Sequence, residues 1–139
     1  MNLRTITGFF TGVVLWWVLF FGFGVGAGLL WPAYREAAAF MFREQDFSHF
    51  TTVMLCLNLV IFIIEGLITG WLTSAISRSR TPVLIVSLLY LLYTGFNHYY
   101  MVWDKLPVWY NLIVPLVIAG SIFLGGQLAK STASENENN

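Results

Sequence analysis

Residues 5–34 contain no charged side chain, a run of thirty positions dominated by Phe, Leu, Val, Trp and Gly. In water such a run exposes more apolar surface than one small domain can cover. The hydrocarbon core of a bilayer, about 30 Å thick, instead accepts about 20 apolar residues as a helix. Helix is required there, because no water remains to satisfy a free backbone N–H or C=O. Three more apolar stretches follow, so the sequence predicts an all-α fold with four transmembrane helices over residues 6–31, 51–76, 82–101 and 108–129. The run over residues 5–34 far exceeds the h-region of a cleaved signal peptide, about 7–15 residues, and is read as a retained anchor.

Local punctuation supports these limits. Pro32 closes the first helix, Thr81-Pro82 offers the third an N-cap and a first-turn proline, and Pro107 opens the fourth. The links after the second and third helices are short, which makes sequential neighbours antiparallel and predicts an up-down bundle. Residues 1–130 form one membrane domain, and the polar tail over 131–139, with Ser, Glu and Asn, is expected to be disordered. In the longest link Tyr34, Ala37, Ala38, Met41 and Phe42 recur at helical spacing, with Arg35, Glu36, Arg43 and Glu44 between them; the pattern fits a short helix lying in the membrane interface. Pro115 removes one hydrogen bond inside the fourth helix, frees the carbonyl of Asn111 and predicts a bend there, with the Asn111 side chain able to help satisfy the freed backbone.

Charge narrows the function classes. Seven Lys and Arg offset seven Asp and Glu in 139 residues, so no basic surface gathers nucleic acid. The single cysteine, Cys56, excludes an intramolecular disulfide and a multi-thiolate metal site. His49 and His98 with Asp46 and Asp104 lack any HExxH or i, i+4 histidine spacing, and no catalytic triad or P-loop pattern occurs. The sequence therefore predicts no enzyme activity, no cofactor and no metal. Arg4, Arg78, Arg80 and Lys130 fall at one side of the bundle and Arg35, Arg43 and Lys105 at the other, which places both termini in the cytoplasm. An aromatic rim that includes Trp31, Trp103, Trp109 and Tyr110 then lies at the outer interface.

Glu65 is the one charged residue deep in a predicted span. It lies about 11 residues, or about 16 Å, from the end of its helix, near the bilayer midplane. A carboxylate costs several kcal/mol there unless it is protonated, hydrogen-bonded or faces water. Ser87 and Ser121 reach the same depth on other helices, and Asn58 shares the face of Glu65 one layer outward; together they form a candidate intramembrane polar cluster. Glu65 serves either as hydrogen-bonding glue between helices or partners, or as an ion relay. Gly8 and Gly12, Gly22 and Gly26, and Gly66 and Gly70 have the spacing of close helix contacts, as does Gly125 with Ser121.

Three segments carry a resemblance: Gly66-Leu-Ile-Thr-Gly70-Trp71-Leu-Thr-Ser-Ala75, Leu106-Pro-Val-Trp-Tyr-Asn111 and Gly125-Gly126-Gln-Leu-Ala129. Through them the chain resembles a broad class of small, uncharacterised bacterial four-helix integral membrane proteins. The resemblance implies a bacterial cytoplasmic membrane and a four-helix fold, and brings no activity. Small size, glycine-rich faces and the lack of a catalytic constellation favour an accessory or scaffolding subunit, embedded in the lipid bilayer and packed on another membrane protein or on itself as a homo-oligomer. The alternative is an oligomeric transporter or a proton- or ion-coupled protein that uses Glu65.

Overall fold

The computed structural model describes residues 3–137, with side chains to Ala129. Among the described residues it is all-helical, without strands. Helix α1 spans Leu3–Leu30, α2 Pro32–Glu44, α3 Thr52–Ser77, α4 Arg80–Asn97 and α5 Val108–Glu137; a π-helical segment, His98–Val102, continues α4. Three helices are long and apolar enough to cross a membrane: α1, α3 and residues Val108–Ala129 of α5. The sequence predicts four such spans. Its third, α4, is 18 residues long and polar at both ends, from Arg80-Thr81-Pro82 to Asn97. The helical backbone of α5 runs on through residues 131–137 of the predicted tail; Asn138 and Asn139 lie outside the described residues.

The helix ends follow from local chemistry. Trp31, extended at φ −134°, separates α1 from α2, as the residue before a proline must be, and Pro32 starts α2 where no N–H is needed. Gln45 closes α2 in the left-handed conformation, φ 53°, donating its N–H to Met41. Beyond it the Asp46 carboxylate accepts the Ser48 N–H at 2.8 Å, and that bond holds its carboxyl below the usual range. Thr51 caps α3 by accepting the Met54 N–H at 3.4 Å. Ser79, rather than Thr81, caps α4 by accepting the Thr81 N–H at 3.3 Å, and Pro82, the third residue of the helix, remains a first-turn proline.

Contacts between named positions give the helix directions. Gly8 faces Ser77 and Gly12 faces Thr73, so α1 and α3 are antiparallel. Gly126 meets Val83, and the Ser87 hydroxyl donates to the Ala119 carbonyl at 2.7 Å, so α4 and α5 are antiparallel as well. Gly66 against Ser121 and Gly70 against Gly126 make α3 and α5 parallel, and Gly12 against Val86 with Tyr90 against Val13 does the same for α1 and α4. Trp16, Val86, Tyr90, Val114, Ile118 and Ile122 fill the centre. A second cluster of Tyr34, Ala37 and Met54 fastens α2 to the start of α3. Large apolar side chains also face outward: Leu92 and Leu116 are 64% and 65% exposed, the inverse of a water-soluble bundle.

Candidate functional site

The four long helices touch intimately over only part of their length. A Cβ added at Gly12 would run into the Thr73 hydroxyl, at Gly66 into that of Ser121, at Gly70 into the Ile122 carbonyl and at Gly125 into the Leu67 carbonyl. Gly8 against Ser77 and Gly126 against Val83 are comparably close. All six contacts lie between the level of Glu65 and the α3–α4 turn. In the opposite half Gly24 of α1 stands clear of the other helices, with nothing within 4 Å of an added Cβ, and Gly22 and Gly26, on the other face of α1, are equally open.

A cavity of about 570 Å³ occupies the space so left. Trp16, Phe20 and Gly24 of α1 line one wall; Asn58, Phe62 and Glu65 of α3 and Tyr110, Val114 and Ile118 of α5 line the facing side. Helix α2 crosses over the far end with Tyr34 and Arg35. Along the seam between α1 and α4, Trp17, Phe21 and Tyr93 border the cavity and are 37%, 54% and 48% exposed. The Trp17 and Tyr93 rings meet edge to face across the seam, with centroids 5.9 Å apart.

Glu65 stands at the closed end. It is 0% exposed, and neither carboxyl oxygen has a hydrogen-bond partner among the described residues. Its α3 neighbours Thr69 and Thr73, one and two turns along the same face, are equally buried, and their hydroxyls have no hydrogen-bond partner among the described residues. Farther out the polar groups do find partners. The Tyr34 hydroxyl donates to Asn58 Oδ1 at 2.6 Å. The Asn111 amide donates to the carbonyls of Trp103 and Leu106 at 3.0 and 3.1 Å, and its oxygen lies 2.8 Å from His98 Nδ1. Asn111 thus ties the π-helical segment to the start of α5 rather than serving the backbone freed by Pro115.

The predicted polar cluster is not hydrogen-bonded together. Ser87 donates to Ala119, Ser121 donates to the carbonyls of Phe62 and Ile118, and Asn58 accepts from Tyr34. Of the predicted contact glycines, Gly8, Gly12, Gly66, Gly70 and Gly125 sit at helix crossings, whereas Gly22 and Gly26 do not. Of the aromatic rim, Trp109 is exposed and Trp31 and Trp103 half-buried, but Tyr110 is 4% exposed and faces the core. Sequence reasoning missed Gly126, Trp16 and Tyr34 as parts of the site, and it missed Thr69 and Thr73. The i, i+4, i+8 spacing of Glu65, Thr69 and Thr73 was a readable sign of the last two.

Chemically, the arrangement offers an apolar chamber with one buried acid–base group at its base and hydrogen-bonding side chains along one wall. No group of three His, Cys, Asp or Glu converges among the described residues. Searches against protein-family models, curated proteins and solved structures match nothing to this chain.

Proposed function

We propose that this protein is a four-span integral membrane protein of a bacterial cytoplasmic membrane that holds a small hydrophobic molecule in the cavity ending at Glu65. One observation carries the reading: a carboxyl group with no exposure and no partner bounds a cavity of about 570 Å³ whose walls are mostly apolar and aromatic. An unsatisfied buried polar group costs about 1–3 kcal/mol, and an occupant that brings the missing partner offsets that cost. The volume falls within the range of about 300–1,000 Å³ typical of small-molecule sites. The fourth span is α4 together with its π-helical continuation, 18 and five residues respectively, which at about 1.5 Å per residue matches the hydrocarbon thickness. Helix α2 then lies in the interface over the cavity.

Photolabelling in lipid nanodiscs with a decyl-diazirine tests this reading. Labelling at Phe62 and Ile118, which line the cavity, is expected to saturate and to be competed by unlabelled decane. Labelling at the exposed Leu92 and Leu116 is expected to rise without saturation. Gly24→Phe places bulk in the cavity where no atom lies within 4 Å of the new Cβ, and should remove only the saturable part. Labelling of Phe62 and Ile118 that is absent or never saturates overturns the proposal.

A second reading, an accessory subunit docked on a larger membrane partner or on its own copy, is supported by the open faces at Gly22 and Gly26, where another helix backbone could approach. Mass determination after mild detergent extraction separates the two: a stable heteromeric complex favours the subunit.

A further inference from the structure

Resting on the cavity reading above, we infer that the occupant is a membrane-soluble amine, which arrives as the neutral base from the bilayer and is held as an ammonium ion on Glu65. Every described Lys and Arg side chain is exposed: Arg4, Arg35, Arg43, Arg78, Arg80 and Lys105. None lies at the closed end beside Glu65, so when its proton is given up the counter-ion there is the occupant itself. The surroundings suit one. Phe62 stacks near Phe20 with centroids 6.3 Å apart and near Trp16 at 6.2 Å, and aromatic faces attract an ammonium while giving nothing to an anion.

The apolar cavity-lining residues Phe21, Val25 and Tyr93 are also exposed on the outer surface of the helices, so molecules dissolved in lipid meet the cavity there. An amine crosses hydrocarbon as its uncharged base. At Glu65 the carboxyl O–H bond breaks, an N–H bond forms on the amine, and an ammonium–carboxylate pair results; the proton comes from Glu65 and no further reactant is needed. Because Glu65 has no exposure, its side chain turns toward the chamber as the pair forms. The charge-assisted hydrogen bonds so made supply the partner that neither carboxyl oxygen now has.

Decylamine, decan-1-ol and decanoate have one chain and three head groups, and each can compete with the decyl-diazirine label in wild type and in Glu65→Gln. Decylamine is expected to halve the labelling of Phe62 at a concentration roughly tenfold or more below that of decan-1-ol, with decanoate the weakest, because only the amine forms a charge-assisted pair. In Glu65→Gln the advantage of amine over alcohol should shrink to about twofold or less, while the alcohol competes as before. Three results overturn the inference: alcohol as potent as amine in wild type, an amine advantage that survives in Glu65→Gln, or decanoate the strongest, which marks an anion held by Arg35. Should Glu65→Gln fail to fold, the wild-type ratio of amine to alcohol decides. Any of these results leaves the saturable labelling itself intact, so failure of the amine assignment is distinguishable from failure of the cavity.

Discussion

Glu65 and Ser121 occupy the same level of the bundle, yet Ser121 rests against Gly66 and spends its hydroxyl on the Phe62 and Ile118 carbonyls. Depth along a helix was legible in the sequence, since counting residues at a fixed rise gives it directly. Direction around the helix was not, because in a bundle surrounded by lipid the outward and inward faces are both apolar. Tyr110 shows the same failure: its position beside Trp109 marks an interface, but its ring turns inward at 4% exposure while Trp109 stays out. The missing partner of Glu65 has a measurable consequence. If Glu65 were glue between helices, Glu65→Leu would destabilise the fold. With both oxygens unpaired, Glu65→Leu is expected instead to raise stability by about 1–3 kcal/mol, since it removes an unsatisfied buried group, whereas Glu65→Gln retains one. Thermal unfolding of both variants in detergent, without added ligand, checks the sign.

Glycine spacing along an element marks a face on which another backbone can approach, and it leaves open whether one does. Gly22 with Gly26 and Gly66 with Gly70 have identical spacing, but only the second pair meets another helix. The difference lies in the face each pair occupies: α1 meets α3 and α4 through Gly8, Gly12 and Trp16 and borders the cavity through Gly24, whereas Gly22 and Gly26 sit on a face with no neighbour within 4 Å. Proline signals were more informative, because they act within the element itself: Pro32 separates α1 from α2 and Pro107 precedes α5 as read, and the helix in the first link follows its apolar spacing, whereas the cap read at Thr81 falls to Ser79. At Gly70 an added methyl would collide with the Ile122 carbonyl, a backbone atom that cannot swing aside. Gly70→Ala is therefore expected to cost about 1–3 kcal/mol or more by overpacking. Gly22→Ala, with open space around the new Cβ, should leave the unfolding temperature of the purified protein unchanged or slightly raised. Equal losses for the two variants would show that a partner helix fills the Gly22 face.

On the scale of the whole molecule, alternating helix directions put the N-terminal end of α1, the α3–α4 turn and the apolar end of α5 at one pole, and α2 with the link around Asp104 at the other. The glycine-locked half belongs to the first pole and the cavity to the second. Arg4, Arg78 and Arg80 lie at the locked pole, with Lys130 beyond the apolar part of α5, and Arg35, Arg43 and Lys105 lie at the cavity pole. Lysine and arginine near helix ends bias orientation toward the cytoplasm, most strongly in short links, and Arg78 and Arg80 flank Ser79 in the short link between α3 and α4. Reporter fusions at Ser79 and after Lys130 should therefore read cytoplasm, and fusions at Gln45 and Asp104 should read the outside. The Asp104 fusion is the decisive member, because α4 is the helix whose length and polar ends leave its crossing to be tested. If Ser79 and Asp104 report opposite compartments, α4 and its π-helical continuation cross, and the cavity opens within the outer half of the bilayer. If they report the same compartment, α4 does not cross, and the seam that borders it meets water instead of lipid. An amine would then arrive already protonated from solution, so decylamine competition at fixed total concentration would no longer strengthen as rising pH increases the neutral base.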